Sequence, residues 1–383
     1  MAIEQAAGKP PFRADQVGSL LRPPELRAAH EKWLAGALEL RELRALQERF
    51  IVEAIRLQEA VGLQAITDGE LRRTSFSSDF IEKLEGAKSP GHLALGGTAG
   101  GLAGGAAAAK PFAPRAFEVV ARLRHARAIE VENFRFVQAN TQRLAKQTMP
   151  SPTMLLRGGR ASVSREAYPD LEAFYADVAA VYRDELKALG MAGCSYVQLD
   201  DTNYAYLCDE RLREVFREWD YRPEEMPRRF AALINGAIAA RPAGMTVGIH
   251  ICRGNSSGQW AAQGPYEAVA ESLLNELNVD GYFLEYDDAR SGGFEPLRFF
   301  PRGSAKKIVL GLVSTKRPEV ESKDELKRRI DEAARYVPLE NLCLSPQCGF
   351  ASTYKGNPIT PEAQRAKLER VVEVATEVWG SAR

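Results

Sequence analysis

The chain repeatedly places polar residues directly after short apolar segments, and this pattern constrains its fold more than any other feature. Several of these apolar segments are followed by a stretch with helical periodicity, so the order predicts alternating strands and helices in a parallel sheet. Polar side chains at the carboxyl ends of such strands are typical of a (β/α)8 barrel, whose site lies at that face. The clearest predicted strands are 194–202, 245–252, 281–287, 307–316 and 342–345.

We therefore predict an α/β protein whose residues 1–383 form one (β/α)8 TIM barrel. A doubly wound sheet is the competing architecture, but the Gly-x-Gly-x-x-Gly loop that its first strand would need is absent. Residues 95–109 are almost entirely glycine and alanine, and we expect a mobile insertion within the barrel. A further strand is expected within 134–156, and the predicted helices are 25–62, ending at Gly62, 171–189, 210–241, 323–334 and 361–379.

Composition excludes several classes of partner. Lysines plus arginines and aspartates plus glutamates both number 51, so no basic surface for nucleic acid or membrane is expected. No apolar run of about 18 residues and no signal-peptide pattern occur, which favours a cytoplasmic protein acting on small molecules. Five cysteines in such a chain favour reduced thiols or metal ligands over disulfides. The oligomeric state stays open.

The segment Gly248-Ile-His-Ile-Cys252 places an imidazole and a thiol two residues apart at the end of a predicted strand. Side chains alternate between the two faces of a strand, so His250 and Cys252 should point the same way. Both residue types are good zinc ligands. A lone buried histidine or cysteine is nevertheless more often part of a core than a ligand, so further ligands are needed to support a metal site.

Two further candidates, Glu285 and Cys348, also lie at or just after the ends of predicted strands. Cys252 and Glu285 are 33 residues apart, and Glu285 and Cys348 are 63 apart, roughly one and two strand-plus-helix units of ~30 residues. Convergence of these strand ends would assemble a zinc site. The other cysteines are expected to be structural; Cys343 should face away from Cys348 if its strand continues without a bulge.

Three more segments could bind a charged substrate. The turn Val17-Gly-Ser19 offers amides and a hydroxyl to an anion, although a simple turn is the alternative. Glu70 lies in an acidic turn at a strand end, where it could hold an ammonium group or form surface ion pairs. Asp200 and Asp201 end another strand, and only one of these neighbours can face a site.

Taken together, His250-Ile-Cys252, Glu285 and Pro346-Gln-Cys348-Gly resemble the zinc-ligand set of the cobalamin-independent methionine synthase family. The resemblance extends over most of the chain and includes the segments that contain Ser19, Glu70 and Asp200. It implies that Ser19 holds the carboxylate of homocysteine and that Glu70 and Asp200 hold its ammonium group. It also implies Zn²⁺ as the cofactor.

The chain departs from that family in two respects. Long members have two barrels, and this chain resembles a short member that corresponds to the C-terminal, catalytic half. In addition, Lys316 stands where a family segment carries a catalytic histidine. A lysine could protonate a leaving group there only if its pKa were lowered, and a solvated or phosphate-binding lysine is the alternative role.

The implied chemistry is the activation of a thiol. A free thiol, with a pKa of ~8.5, is mostly protonated near neutrality, whereas a zinc-bound thiolate can accept a methyl group from a folate or another donor. The expected product is methionine. Two alternatives remain at this stage: a zinc-dependent alkyltransferase that joins a thiol such as coenzyme M to an epoxide, and a zinc-binding barrel without turnover.

Overall fold

A computed structural model describes residues 9–88, 116–255 and 257–383. Within them, strands alternate with helices along most of the chain. The strands are β1 Ala65–Ile66, β2 Glu85–Lys88, β3 Glu118–Arg124, β4 Leu144–Ala145, β5 Gln147–Pro150, β6 Tyr196–Asp201, β7 Thr246–Ile251, β8 Gly281–Glu285, β9 Lys307–Val313 and β10 Leu342–Pro346. The helices are α1 Pro24–Leu34, α2 Leu40–Val61, α3 Ser78–Ile81, α4 Val131–Asn140, α5 Leu171–Met191, α6 Asn203–Tyr206, α7 Glu210–Glu218, α8 Met226–Ile238, α9 Glu267–Glu271, α10 Lys323–Ala334 and α11 Pro361–Trp379.

The centre of the fold is a parallel sheet of six strands in the order β10-β9-β8-β7-β6-β5. Every pairing in this sheet is parallel, so all six carboxyl ends lie along one edge. Every residue of β5, β6, β7, β8 and β10 is buried. Burial on both faces agrees with the mainly apolar sequences of β7, β8 and β10. The structure thus confirms an α/β fold with a parallel sheet.

Two further parallel pairings lie outside the six-stranded sheet, one of them in a separate sheet of two strands. Ala14 forms a parallel bridge with Leu344 of β10, and β1 pairs with β4, which directly precedes β5. The fully buried ammonium of Lys146 lies 3.0 Å from a carboxylate oxygen of Asp15 and so ties the N-terminal segment to the β4–β5 region. Removing one member of such a buried pair costs about 3–5 kcal/mol. The predicted insertion 95–109 lies outside the described residues.

The predicted helices are present, but two of them are divided. The segment 25–62 forms α1 and α2, because Gly36 adopts a left-handed φ of 70° and Glu39 forms a capping box that starts α2. Gly62 ends α2 in the left-handed conformation, as its sequence position predicted. The segment 210–241 forms α7 and α8. None of the helices among the described residues combines the length and apolar character needed to cross a membrane.

Candidate metal centre and substrate site

Four side chains meet at the carboxyl edge of the sheet. His250 lies near the end of β7, Cys252 directly follows that strand, Glu285 is the last residue of β8, and Cys348 follows β10 by two residues. One ligand atom from each residue lies within 4.8 Å of the others. Their relative exposures range from 0% for Glu285 to 8% for Cys252. The structure therefore brings together all four residues that the sequence predicted as metal ligands.

Several atoms of this group lack the partners that buried polar atoms normally have. The ring nitrogens of His250 have no hydrogen bond of normal geometry, although the imidazole interacts with the Cys348 thiol, and Oε2 of Glu285 makes no hydrogen bond. Leaving such atoms unpaired is costly, and a bound cation would satisfy them. The two sulfurs, of Cys252 and Cys348, are 3.4 Å apart, too far for a disulfide and close to the ~3.8 Å expected for two thiolates on one tetrahedral zinc. The donor set and its spacing therefore fit a metal ion.

The two thiols of the centre lie within hydrogen-bonding distance of each other. The hydrogen bond with the Cys252 thiol holds the pKa of Cys348 well below its ordinary value, and the same contact raises the pKa of Cys252. The backbone N–H of Gly254 donates to the sulfur of Cys252 at 3.3 Å. One thiolate is thus favoured even without a cation, which suits a site that binds metal through deprotonated sulfur.

Glu285 is oriented by the residues that follow β7. The backbone N–H of Arg253 donates to Oε1 of Glu285 at 2.9 Å, and the hydroxyl of Tyr266 accepts the backbone N–H of Glu285 at 3.0 Å. The guanidinium of Arg253 in turn stacks over the Tyr266 ring. One carboxylate oxygen is therefore fixed, and the other, Oε2, has no hydrogen-bond partner.

Lys316 lies beside this carboxylate, in the loop after β9. Its Nζ is 3.7 Å from Oε2 of Glu285. Burial by itself lowers the pKa of Lys316, but the carboxylates of Glu285 and Asp287 outweigh it and place the pKa above the ordinary value. The Lys316 ammonium group therefore lies beside a carboxylate of the candidate metal centre. A role for Lys316 as an acid stays a prediction from the sequence.

Two carboxylates, Glu70 and Asp200, form a second group next to His250. Burial and then the charge of Glu70 raise the pKa of Asp200 to about 7, while His250 opposes this shift. Oδ1 of Asp200 accepts a hydrogen bond from Gln198 at 2.7 Å, whereas Oδ2 is buried without one. Asp201 instead accepts hydrogen bonds from the Thr153 hydroxyl and the Tyr204 backbone, so Asp200 is the member of the pair that faces the site.

Glu70 is held in a conformation that is unusual for a residue other than glycine. Its φ is 57°, in the left-handed region, and its N–H donates to Oδ1 of Asp68 at 2.8 Å. The carboxylate accepts a hydrogen bond from Thr148 at 3.1 Å and lies 3.5 Å from the guanidinium of Arg73. Burial raises the pKa of Glu70, and the nearby Arg73 and Arg22 oppose that rise. Backbone strain of this kind is concentrated at functional positions.

Ser19 packs against the loop that contains Cys348. Its hydroxyl accepts the N–H of Ala351 at 3.3 Å, and its backbone oxygen accepts the N–H of Phe350 at 2.8 Å. A Cβ at position 349 would overlap with the Ser19 hydroxyl, so glycine at 349 permits this close approach. Ser19 therefore lies between the metal group and the loop of Glu70, whose Gly69 carbonyl accepts the N–H of Leu20.

Comparison with known proteins shows the family of this chain. Residues 12–377 match the family model described as "Cobalamin-independent synthase, Catalytic domain". The chain belongs to the cobalamin-independent methionine synthase family. This confirms the resemblance that the sequence motifs indicated.

Family members of known sequence and structure cover nearly the whole chain. A Bacillus subtilis protein named "Uncharacterized protein YxjH" is 43% identical over 97% of this chain and 96% of its own. A solved structure of a putative vitamin-B12-independent methionine synthase from Listeria monocytogenes is 36% identical, covers 98% of this chain and 100% of its own, and has a TM-score of 0.77. A methionine synthase from Pyrococcus abyssi is 26% identical over 84% of this chain and 81% of its own.

The sequence analysis missed a buried polar cluster that joins three loops of the site. We define the loop-joining cluster as Asn255, Thr315 and Gln347, which follow β7, β9 and β10. The Thr315 hydroxyl lies 2.9 Å from Oε1 of Gln347, and Asn255 donates to the Gly349 carbonyl at 2.8 Å. These residues adjoin or nearly adjoin Cys252, Lys316 and Cys348. Single amides and hydroxyls carry no spacing signal, so only their position beside the predicted ligands could have pointed to them.

Cys343 lies outside the metal group, although not for the reason expected. The pairing of β10 with β9 shifts register between Ser345 and Pro346, so the condition of an unbulged strand is not fulfilled. Cys343 packs with Val17, Phe283 and Val309 in a small buried cluster. The cysteine is structural, as predicted, but the bulge invalidates the argument from odd spacing.

Proposed function

We propose that this protein is a zinc-dependent methyltransferase that activates the thiol of homocysteine and forms methionine. The observation that carries the proposal is the adjacency of two groups: a buried His/Cys/Glu/Cys set with unpaired donor atoms, and a buried carboxylate pair next to its histidine. A thiol substrate with an ammonium group needs both. Membership of the cobalamin-independent methionine synthase family supports the same reaction.

His250, Cys252, Glu285 and Cys348 would hold the zinc ion. Zinc at this position would keep the substrate sulfur deprotonated near neutral pH. Glu70 and Asp200 would bind the ammonium group, because two buried carboxylates with an unpaired oxygen favour a cation. Ser19 would bind the substrate carboxylate through its hydroxyl and the amides of the surrounding turns.

The methyl transfer itself is a displacement. The substrate sulfur forms a bond to the methyl carbon as the bond from that carbon to the donor breaks, and the donor leaves with the electron pair. The chain's residues hold the thiol, exclude water through their burial and fix its direction of attack. A folate or another methyl donor fits this scheme, and the described side chains do not distinguish between them.

We further propose that the sheet closes as an eight-stranded barrel in a single domain spanning 1–383. The segment around Ala14, β1, β4 with β5, and the strands β6 to β10 would supply the eight strands. The bridge from Ala14 to Leu344 supports closure on one side. On the other, the Thr67 hydroxyl donates to the Gly18 carbonyl at 2.7 Å and so joins the N-terminal segment to the end of β1. A cytoplasmic location stays a prediction from the sequence.

The carboxylate pair disfavours the coenzyme M alternative. A sulfonate thiol has no ammonium group, and its negative charge would be repelled by Glu70 and Asp200 if it approached them. A barrel that binds zinc without turnover would not need the unpaired oxygen of Asp200 or the strained conformation of Glu70.

Titration calorimetry can test the proposal directly. Homocysteine is titrated into zinc-loaded and zinc-free protein in buffers that differ in ionisation enthalpy, which gives the number of protons released. We expect release of about one proton per thiol bound to the zinc-loaded protein, and much weaker binding to the zinc-free protein. Equal binding in both forms, or preference for 2-mercaptoethanesulfonate, would contradict the proposal.

A further inference from the structure

Lys316 and Glu285 form a buried pair of opposite charges that the proposed reaction has not yet used. The Lys316 side chain is 9% exposed and that of Glu285 is 0% exposed. Their closest atoms, Nζ and Oε2, are 3.7 Å apart, beyond a normal hydrogen bond, and neither atom has a hydrogen-bond partner. Each is therefore attracted to the other but free to pair more closely.

The position of Lys316 is fixed by its backbone. The N–H of Lys316 donates to the Ser314 hydroxyl at 3.3 Å, and the preceding N–H, of Thr315, donates to Gln347 at 2.6 Å. Asn357 donates to the Thr315 carbonyl at 2.9 Å. A well-anchored loop therefore holds the Lys316 ammonium group beside the metal group.

The charges of the site show what this ammonium can do. A divalent cation held by two thiolates and the Glu285 carboxylate has a net charge of −1, and Lys316 brings the group to neutrality. A substrate thiolate adds another negative charge to a buried site, where an uncompensated charge is costly. Oε2 of Glu285 lies 3.7 Å from Nζ of Lys316, so the carboxylate would keep a cationic partner if a thiolate took its place on the metal ion.

We propose that Lys316 is a positioning residue that acts through Glu285: it balances the charge of the metal centre and receives the Glu285 carboxylate when a substrate thiolate binds. This role rests on the proposed function. It predicts opposite effects on the two ligands of the site. A nearby positive charge repels a metal dication but favours an anionic thiolate.

The test measures both affinities in the full-length protein. Lys316→Met removes the charge while keeping most of the side-chain volume, Lys316→Gln is a second neutral variant, and Lys316→Arg keeps the charge. The zinc dissociation constant is obtained by competition with a chromophoric chelator. The homocysteine dissociation constant of the zinc-loaded protein is obtained by calorimetry. Lys187→Met, which neutralises an exposed lysine of α5, is the matched control.

For both neutral variants we expect homocysteine affinity to fall about 10-fold or more, while zinc affinity stays equal or rises. Lys316→Arg should restore thiol binding to within about threefold of the unaltered protein, and Lys187→Met should change neither affinity. At the zinc edge, X-ray absorption should show fewer added sulfur ligands in the neutral variants at a given homocysteine concentration.

The outcomes separate this inference from the proposed function. If the neutral variants lose zinc and thiol affinity together, or if their thiol affinity is unchanged, the role of Lys316 is overturned while the zinc-thiolate proposal stands. If the unaltered protein binds zinc but homocysteine never enters its ligand shell, the proposed function fails, and the inference fails with it.

Discussion

The metal group and the carboxylate pair occupy the same edge of the sheet, but they are built in different ways. The metal group uses the ends of β7, β8 and β10, whose positions are set by parallel strand pairing. Glu70 lies in an irregular turn after β1, a strand of two residues. Its place is determined by a left-handed backbone and by contacts with Arg73 and Thr148.

This difference shows two routes to a precise site. Regular strands position ligands through the backbone, so a side chain placed at a strand end needs little further support. A turn has no such register and depends on buried polar contacts, such as the Arg22 guanidinium, which donates to the Glu70 carbonyl at 2.7 Å. Changes in the metal group should therefore mainly affect zinc, and changes in the carboxylate pair should mainly affect substrate recognition.

The largest expected effect is the loss of zinc on removal of a cysteine ligand. Cys348→Ser should weaken zinc binding by more than about 100-fold, because a serine hydroxyl is a far poorer zinc ligand than a thiolate. Zinc content after dialysis against a weak chelator measures this. Cys343→Ser removes a buried thiol of the same strand region and is the control, which should retain one zinc per chain. Equal retention of zinc by both variants would remove Cys348 from the ligand set.

A smaller effect, confined to substrate selectivity, is expected at Asp200. Asp200→Asn should weaken binding of homocysteine about 10-fold to 100-fold at pH 8 by removing a charged hydrogen bond to the ammonium group. Binding of 4-mercaptobutyrate, which has the same thiol and carboxylate but no amino group, should change little. Because the pKa of Asp200 is about 7, the unaltered protein should lose its preference for homocysteine as the pH falls below that value.

Two outcomes at Asp200 would contradict the separate roles of the metal group and the carboxylate pair. An equal loss of affinity for both thiols would mean that the residue does not recognise the amino group. A loss of zinc in Asp200→Asn, measured by competition with a chelator, would mean that the carboxylate pair supports the metal group and is not a separate recognition element.

The smallest expected effect concerns the loop-joining cluster. Thr315→Val keeps the side-chain shape but removes the hydroxyl that joins Thr315 to Gln347, and it should weaken zinc binding about 10-fold. Thr246→Val, at the start of β7 and away from the site, is the matched control and should leave zinc affinity unchanged. Equal zinc affinities in the two variants would show that strand pairing alone is enough to position the ligands.

The sequence predicted the parallel α/β fold and the convergence of the four metal-group residues, because both depend on regular alternation. His250 and Cys252 could be placed on one face by their two-residue spacing. The sequence predicted that Cys348 lies at a strand end. The two-residue alternation of a strand could not show which way its side chain points, because a register shift interrupts β10.

Other parts of the site depend on contacts that spacing does not encode. The choice between Asp200 and Asp201 became clear only when Thr153 and Tyr204 were found to bind Asp201. The pairing of Lys316 with Glu285 joins the loop after β9 to the end of β8, and nothing in either segment indicates it. The sequence could therefore identify ionisable residues near the site, but it could not show which of them lie in contact with each other.

The central claim is that a substrate thiol joins a zinc ion held by two cysteines, and X-ray absorption at the zinc edge tests it most directly. We predict one zinc per chain with two sulfur ligands in the free protein and three sulfur ligands after addition of homocysteine. Protein purified without chelator that contains no zinc, or zinc whose sulfur count stays at two with saturating homocysteine, would contradict the account.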